Sequence, residues 1–302
     1  MKQTRKENTK KTPTGFSNEK SVESYKNLVT LNEIGDHYSK DIINKLPKKE
    51  EGISILDIGT GDGRFLSFIL SNLGEDSVKK LEAFDLSENM LKKAKKQYSK
   101  FNGLDFELYK ENLNNIKECP LKEKYDYINF TFALHYAEKP KEVLDNIIKY
   151  LDKDGVMLLT GCKGLFNHLV DSPNHIDKKL VPKEISDLWK DYFELKHKKY
   201  PKWEPSSIGD PTNTKPLIEF LSSKKDLDIS IKEYFWNKKI SLEDNLEWIL
   251  SSPISSISAG VDDSYRREIY NNLKNKYNKK GMLLDKKLSV TLGYELIFIK
   301  KR

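Results

Sequence analysis

The sequence predicts an α/β fold built on a mainly parallel sheet, and three observations carry that prediction. Residues 53 to 66 read Ile-Ser-Ile-Leu-Asp-Ile-Gly-Thr-Gly-Asp-Gly-Arg-Phe-Leu: an apolar strand, an acidic residue, three alternating glycines and a helix start. Strand-like apolar runs near 53–58, 80–85, 104–109, 125–131 and 155–161 are separated by helical stretches such as 88–98 and 140–151. Strand and helix in alternation imply a parallel sheet with helices on its faces. Beyond Gly161 the alternation gives way to a long polar insertion, after which strand and helix patterns resume and close on a strand at 288–300.

Taken in order, residues 1–20 are polar and rich in Lys, Thr and Asn, which predicts a disordered tail. Val22, Tyr25, Leu28, Val29, Leu31, Ile34, Tyr38, Ile42, Ile43 and Leu46 fall mostly at helical spacing and predict two helices over 21–46, ended by Pro47. At the carboxyl end of the 53–58 strand, glycine lets the chain turn sharply and lets a ligand lie against the main chain. The turn therefore reads as a binding floor for a nucleotide-like ligand. A dinucleotide fingerprint would place its third glycine where Arg64 stands, so the spacing argues against NAD. Residues 151–157, Leu-Asp-Lys-Asp-Gly-Val-Met, read as a turn into the fifth strand. In the insertion, Ile185, Leu188, Trp189, Tyr192 and Phe193 mark one apolar helix face. The turn-rich run from Trp203 to Pro211 is expected to be mobile and to gate a pocket. Thr214 and Pro216 open a short helix, and Leu227, Ile229 and Ile231 alternate as a strand towards Trp236. Ser241 to Asp244 has capping-box-like spacing, a helix follows over 261–277, and Gly293 is expected to mark a bulge in the last strand.

The string Asp57-x-Gly59-x-Gly61-x-Gly63 resembles the first motif of class I methyltransferases that use S-adenosylmethionine (SAM), and the next hundred or so residues continue the resemblance in order. Ala83 to Leu91 resembles the second strand and its acidic end, Leu104 to Leu113 the third strand and its exit, and Tyr125 to Tyr136 the fourth strand and the loop after it. The resemblance implies a Rossmann-like, seven-stranded sheet with an antiparallel C-terminal strand over residues 21–302, with N-terminal helices at 21–50 and a lid at 162–215. It also implies SAM as cofactor and S-adenosylhomocysteine as product. The main chain at Gly59, Thr60 and Gly61 would approach the methionine portion, with Asp57 orienting the loop. Asp85 would accept from both ribose hydroxyls, since an ionised carboxylate has two acceptor oxygens. Leu86, Glu111, Asn112 and Leu113 would lie about the adenine, and Thr131 and Phe132 at the methionine end.

His135 and Tyr136, just after the fourth strand, are the candidate catalytic residues; Glu33, His37, Tyr38 and Trp203 are candidates for touching the acceptor. Methyl transfer is an in-line displacement, so alignment and exclusion of water can supply most of the acceleration and a base is optional. The whole-chain layout distantly resembles small-molecule methyltransferases, among them the histamine N-methyltransferase and the trans-aconitate or juvenile-hormone-acid groups. The glutamine and asparagine of the histamine group align with Phe132 and Lys287, a departure that bears on histamine itself. A small polar or aromatic metabolite, methylated on nitrogen or oxygen, is the expected acceptor. Two alternatives stay open: an RNA methyltransferase resembling the cap guanine-N7 group, and a SAM-binding regulatory protein without turnover.

Composition narrows the classes further. At 302 residues and 37% hydrophobic content the chain can bury a full core. The net charge of +7 on a chain that is 33% charged reads as solvated surface rather than as a nucleic-acid stripe. The N-terminus lacks the apolar run of a signal peptide and no segment reaches the ~20 apolar residues of a membrane span, so a cytoplasmic protein is expected. Cys119 and Cys162 stand in no paired spacing, and His168 and His175 lack partners at metal spacing, so neither a disulfide nor a metal is expected.

Overall fold

The centre of the sheet follows from strands that are apolar on both faces. In the computed structural model, which describes residues 31–74, 77–119, 121, 123–165, 180–200, 206–251 and 261–302, seven strands pair in the order β3-β2-β1-β4-β5-β7-β6. They are β1 Ile53–Ile58, β2 Val78–Asp85, β3 Phe106–Lys110, β4 Tyr125–Phe130, β5 Leu151–Gly164, β6 Leu227–Ile240 and β7 Leu288–Lys301. β1 to β5 pair in parallel; the central β1 and β4 are buried along nearly their whole length, as strands covered on both faces are, while the edge strand β3 is partly exposed. β7 runs antiparallel between β5 and β6, as expected of the C-terminal strand.

The helices are α1 Leu31–Lys45, α2 Arg64–Leu73, α3 Glu88–Tyr98, α4 Pro140–Ile148, α5 Lys183–Lys196, α6 Lys215–Ser222, α7 Leu242–Ser251 and α8 Asp263–Lys279. Their ends are written in local chemistry. The Ser87 hydroxyl accepts from the Met90 amide to open α3, Pro140 stands in the first turn of α4, and the Asp262 carboxylate accepts from the Tyr265 amide to open α8. The predicted capping box is formed: the Ser241 amide donates to Asp244 Oδ2 at 2.7 Å and the Asp244 amide to Ser241 Oγ at 3.1 Å. Side chains of α1, α2, α3, α5, α7 and α8 pack on one face of the sheet, those of α4 and α6 on the other. The apolar face read over 185–193 belongs to α5, whose buried Trp189 indole donates to Asn245 Oδ1 on α7 at 2.9 Å.

Of the two helices expected over 21–46, one is α1; residues 1–30, with the rest of that expectation and the expected tail, lie outside the described residues. Two expectations are revised. Residues 151–157 are no separate turn: Leu151 already pairs with Tyr125, and a register shift before Val156 pairs with Tyr127 absorbs the extra residues as an irregularity within β5. Gly293 marks no bulge, because pairing runs in unbroken register through it to both Lys163 and Phe235. A Cβ there would stand 2.7 Å from the Phe235 ring and 2.7 Å from the Tyr234 carbonyl oxygen, so close approach of the neighbouring strand is what demands glycine. Among the described residues, no helix is long and apolar enough to cross a membrane.

Gly293→Ala is expected to cost about 2 kcal/mol through that overlap, read as a lowered urea midpoint at unchanged slope. A variant as stable as the parent would show that β6 yields freely.

Candidate active site

The parallel strands β2, β1 and β4 are neighbours, so their carboxyl ends bring together residues far apart in sequence. β1 ends at the glycine loop, where Gly59, Gly61 and Gly63 have φ of 68°, 57° and 78°, values that L side chains rarely adopt. The loop is pinned from below: the Gly59 and Thr60 amides donate to the Phe84 carbonyl at 2.9 and 3.0 Å. From the side, a Cβ on Gly59 would lie 2.5 Å from Ala133 Cβ, so the loop after β4 rests directly on it. Around Gly61 the space is open, since a Cβ there would meet nothing within 4 Å.

Asp57 governs the loop's shape. Its carboxylate is 1% exposed and accepts from Asn129 Nδ2 at 2.6 Å, from the Thr60 hydroxyl at 2.6 Å and from the Tyr98 hydroxyl at 2.9 Å. The Thr60 and Tyr98 hydroxyls are themselves 2.6 Å apart, and Tyr127 donates to Asn129 Oδ1 at 3.2 Å. Burial pushes the Asp57 carboxyl up, and the three donors pull it back towards the charged form. Asp57 and the Thr60 side chain therefore face into the protein, and the main chain of Thr60 is what the loop can offer outward. Asn129, Tyr98 and Tyr127 hold Asp57 in place, and sequence reasoning passed them over. The available signal was a lone amide in the apolar run of β4, at the register position opposite Asp57.

Asp85 ends β2 across from the loop. Its Oδ2 accepts from the Gly61 amide at 2.9 Å and its Oδ1 from the Ser87 amide at 2.8 Å. A carboxylate has about four acceptor positions, so these amides leave it spare acceptor capacity. Burial raises the Asp85 carboxyl, with the Ser87 and Gly61 amides opposing it. Beside it Leu86 is 42% exposed, and the half-buried Leu113 lies at the exit of β3. The Glu111 amide donates to the Asp85 carbonyl at 3.2 Å, and Asn112 Oδ1 accepts from the Asn114 amide at 3.0 Å, opening the turn at Leu113–Glu118. These expected adenine-side residues thus converge on one edge of the sheet.

After β4, Thr131 is buried and Phe132 has φ of 54°, the one positive φ among described residues other than glycine. Its amide donates to Thr160 Oγ1 on β5 at 2.9 Å, and its ring lies 6.4 Å from Phe65 and 4.8 Å from Tyr294. His135 and Tyr136 follow in a short 3-10 turn, both half-buried, with ring centroids 4.0 Å apart. Burial holds the His135 imidazole down at about 4, so it is neutral at neutral pH and a weak base there.

Of the expected acceptor residues, Tyr38 is buried on α1, while the side chains of Glu33 and His37 on the same helix, and all of Trp203, lie outside the described residues. The part of the turn-rich segment that is described is anchored: Ile208 is buried, and the Cys162 amide donates to the Pro211 carbonyl at 2.6 Å. Among the described residues no cluster of three or more His, Cys, Asp or Glu is placed to hold a metal.

A family model described as a methyltransferase domain matches residues 49–206. An uncharacterised protein of Haemophilus influenzae (strain Rd) is 32% identical over 137 residues, 44% of this chain and 50% of that protein. The ribosomal protein L11 methyltransferase of Dictyoglomus turgidum is 32% identical over 112 residues, 37% of this chain and 33% of that enzyme. The chain thus spans half or less of the length of these curated relatives. The plantazolicin methyltransferase BamL, solved with a triazolic desmethylPZN analogue and SAH, superposes with a TM-score of 0.50 at 14% identity, covering 96% of this chain and 94% of that one. At that identity the likeness is one of fold.

Two measurements test the site. Asp57→Asn turns an acceptor into a donor facing three donors and is expected to lower the unfolding free energy by about 3 kcal/mol; a loss below ~1 kcal/mol in urea denaturation would remove Asp57 as the organiser of the loop. His135 titrates lower folded than unfolded, so the unfolded chain takes up the proton first. Its contribution to stability is complete above pH ~6.5 and fades as pH falls towards about 4. His135→Gln is expected to flatten the pH dependence of the thermal midpoint across that window; an unaltered profile would contradict the assignment.

Proposed function

We infer the function from one premise: the chain belongs to the methyltransferase-domain family, whose cofactor is S-adenosylmethionine. On that premise we propose that it transfers the SAM methyl group to nitrogen or oxygen of a small polar or aromatic metabolite. The observation that carries this is the pairing of an open-faced Gly61 with Asp85 across the ends of β1 and β2, a cradle with spare acceptor capacity beside the exposed Leu86. When bound, the cofactor supplies an activated sulfonium methyl: the acceptor's lone pair takes the methyl carbon as the carbon–sulfur bond breaks, and any proton on that atom passes to water.

The chain's own residues bind, orient and exclude water. Gly59 to Gly61 present main chain to the methionine end, Asp85 holds the diol, and Leu86 with Leu113 flanks the purine. Phe132 stands where the methyl group would face the acceptor. His135, neutral and packed on Tyr136, shapes that mouth and can hydrogen-bond an acceptor; at about 4 its basicity is too low for it to be a strong proton acceptor at pH 7.

Calorimetric titration with SAM and SAH tests the reading. Micromolar binding is expected, with Asp85→Ala weakening it at least ~30-fold, since it removes both the diol contact and the clamp on the Gly61 amide. Because burial raises the Asp85 carboxyl, affinity is expected to fall as pH drops and that group protonates. Equal SAM affinity in the parent and Asp85→Ala would refute the cofactor assignment.

A further inference from the structure

We propose that Thr160 is a positioning residue of the site: from β5 it holds Phe132 in a left-handed conformation, and through Ala133 it fixes both the glycine loop and the turn that carries His135 and Tyr136. This rests on the reading of that loop as the cofactor site and adds to it a residue that acts through its neighbours.

The pairing of β4 with β5 ends at Phe130, opposite Leu159. Thr131 and Phe132 then leave the sheet, while Thr160 remains in it, paired with Leu296 on β7. Beyond the last pair, Thr160 Oγ1 accepts from the Phe132 amide at 2.9 Å, so a side chain continues what strand carbonyls do further back. The bond falls on the strained residue of the chain, since Phe132 has φ of 54°. Asparagine or aspartate can support that conformation with its own side chain; phenylalanine has no polar group to do so, and the restraint must come from outside. A β-branched residue is stiff about its first side-chain torsion, which keeps the Thr160 hydroxyl aimed. The strand behind it is fastened as well: the Cys162 amide donates to the Pro211 carbonyl at 2.6 Å, and Thr214 Cγ2 would stand 2.5 Å from a Cβ on Gly161.

Ala133 passes the restraint on in two directions. On one side its Cβ rests on Gly59, where an added Cβ would lie 2.5 Å away. The Gly59 and Thr60 amides donate to the Phe84 carbonyl, so the loop is gripped between β2 and Ala133. On the other side the Ala133 carbonyl accepts from the Tyr136 amide at 3.0 Å and opens the turn Leu134–Tyr136. Rotation about the Phe132 N–Cα bond moves everything after it, so relaxation to negative φ would lift Ala133 from Gly59 and carry His135 and Tyr136 along. One acceptor on β5 therefore sets the separation between the glycine loop and that turn.

The test compares Thr160→Val and Thr160→Ser in the full chain, with Thr160→Ala in place of valine should that variant not fold. Valine keeps the branched shape and suits a strand but offers no acceptor, whereas serine keeps the acceptor. Amide hydrogen exchange without ligand reads the link itself: Thr160→Val is expected to speed exchange at Phe132, Gly59 and Thr60 about tenfold while β1 is unchanged, and Thr160→Ser to reverse this. Calorimetry with SAH reads the consequence, about tenfold weaker binding in Thr160→Val and recovery in Thr160→Ser. Glycine takes a positive φ without strain, so in a Phe132→Gly background the valine substitution is expected to weaken SAH by less than ~3-fold. A parent chain that binds no SAH strikes the cofactor reading, and the exchange rates then decide the link by themselves. Unaltered exchange at Gly59 and Thr60, equal SAH affinity in a binding parent and Thr160→Val, a loss that serine does not repair, or an equal loss in Phe132→Gly would each overturn the proposal.

Discussion

The buried carboxylate of Asp57 is the interaction on which the rest of the site depends. A loop that leaves a strand with three positive φ values has no regular hydrogen-bond ladder to hold it, so something must fix its path. Asp57 does so by gathering donors from its own loop, from β4 and from the end of α3 onto two oxygens at 1% exposure. An ion so deeply buried is costly unless fully solvated by the protein. That cost makes the arrangement selective, since a displaced Thr60, Asn129 or Tyr98 leaves the charge under-satisfied. The geometry of the glycine loop, and through it the distance between Gly61 and Asp85, is set by this one group.

What could be read from the sequence is what local chemistry writes. Glycines at alternate positions and a serine three residues before an aspartate each act within a few residues, and the sharp turn and the capping box they predict are both formed. The partners of Asp57 were not legible in that way. Asn129 is 72 residues from it and Tyr98 41 residues away, and each fits an unremarkable role as a strand or helix residue until the sheet register places it. The misread turn at 151–157 and the misread bulge at Gly293 share one cause. Glycine and charged residues look alike in a turn, in an irregular strand and beneath a neighbour's aromatic ring, and only pairing tells them apart.

Composition also says less about motion than about shape. The run ending at Pro211 is rich in Ser, Gly, Pro and Asp, which do make it turn: Asp210 Oδ1 accepts from the Thr212 amide at 2.9 Å and the Thr212 hydroxyl at 2.7 Å. Yet its described part is fastened at several points. Ile208 enters the core, the Pro211 carbonyl accepts from Cys162, and the Thr214 hydroxyl donates to the buried Glu295. Gly161 has no side chain because Thr214 Cγ2 would stand 2.5 Å from its Cβ. Turn-forming residues here build an anchored edge beside β5.

Phe132 joins the two halves of the site. Its backbone is in a conformation that costs a residue with a side chain roughly 1–2 kcal/mol, and such strain persists only where surroundings over-determine it. Here they do: Thr160 holds its amide, Ala133 next to it is pressed against Gly59, and its ring is wedged between Phe65 and Tyr294. A relaxed backbone at Phe132 would move either the contact with the glycine loop or the ring that faces Tyr294. The conformation of the glycine loop and the position of the Phe132 ring are therefore not independent. Gly59 touches Ala133 and Tyr294 touches Phe132, the residue before it, so a shift at the glycine loop reaches the aromatic contact through a single peptide unit.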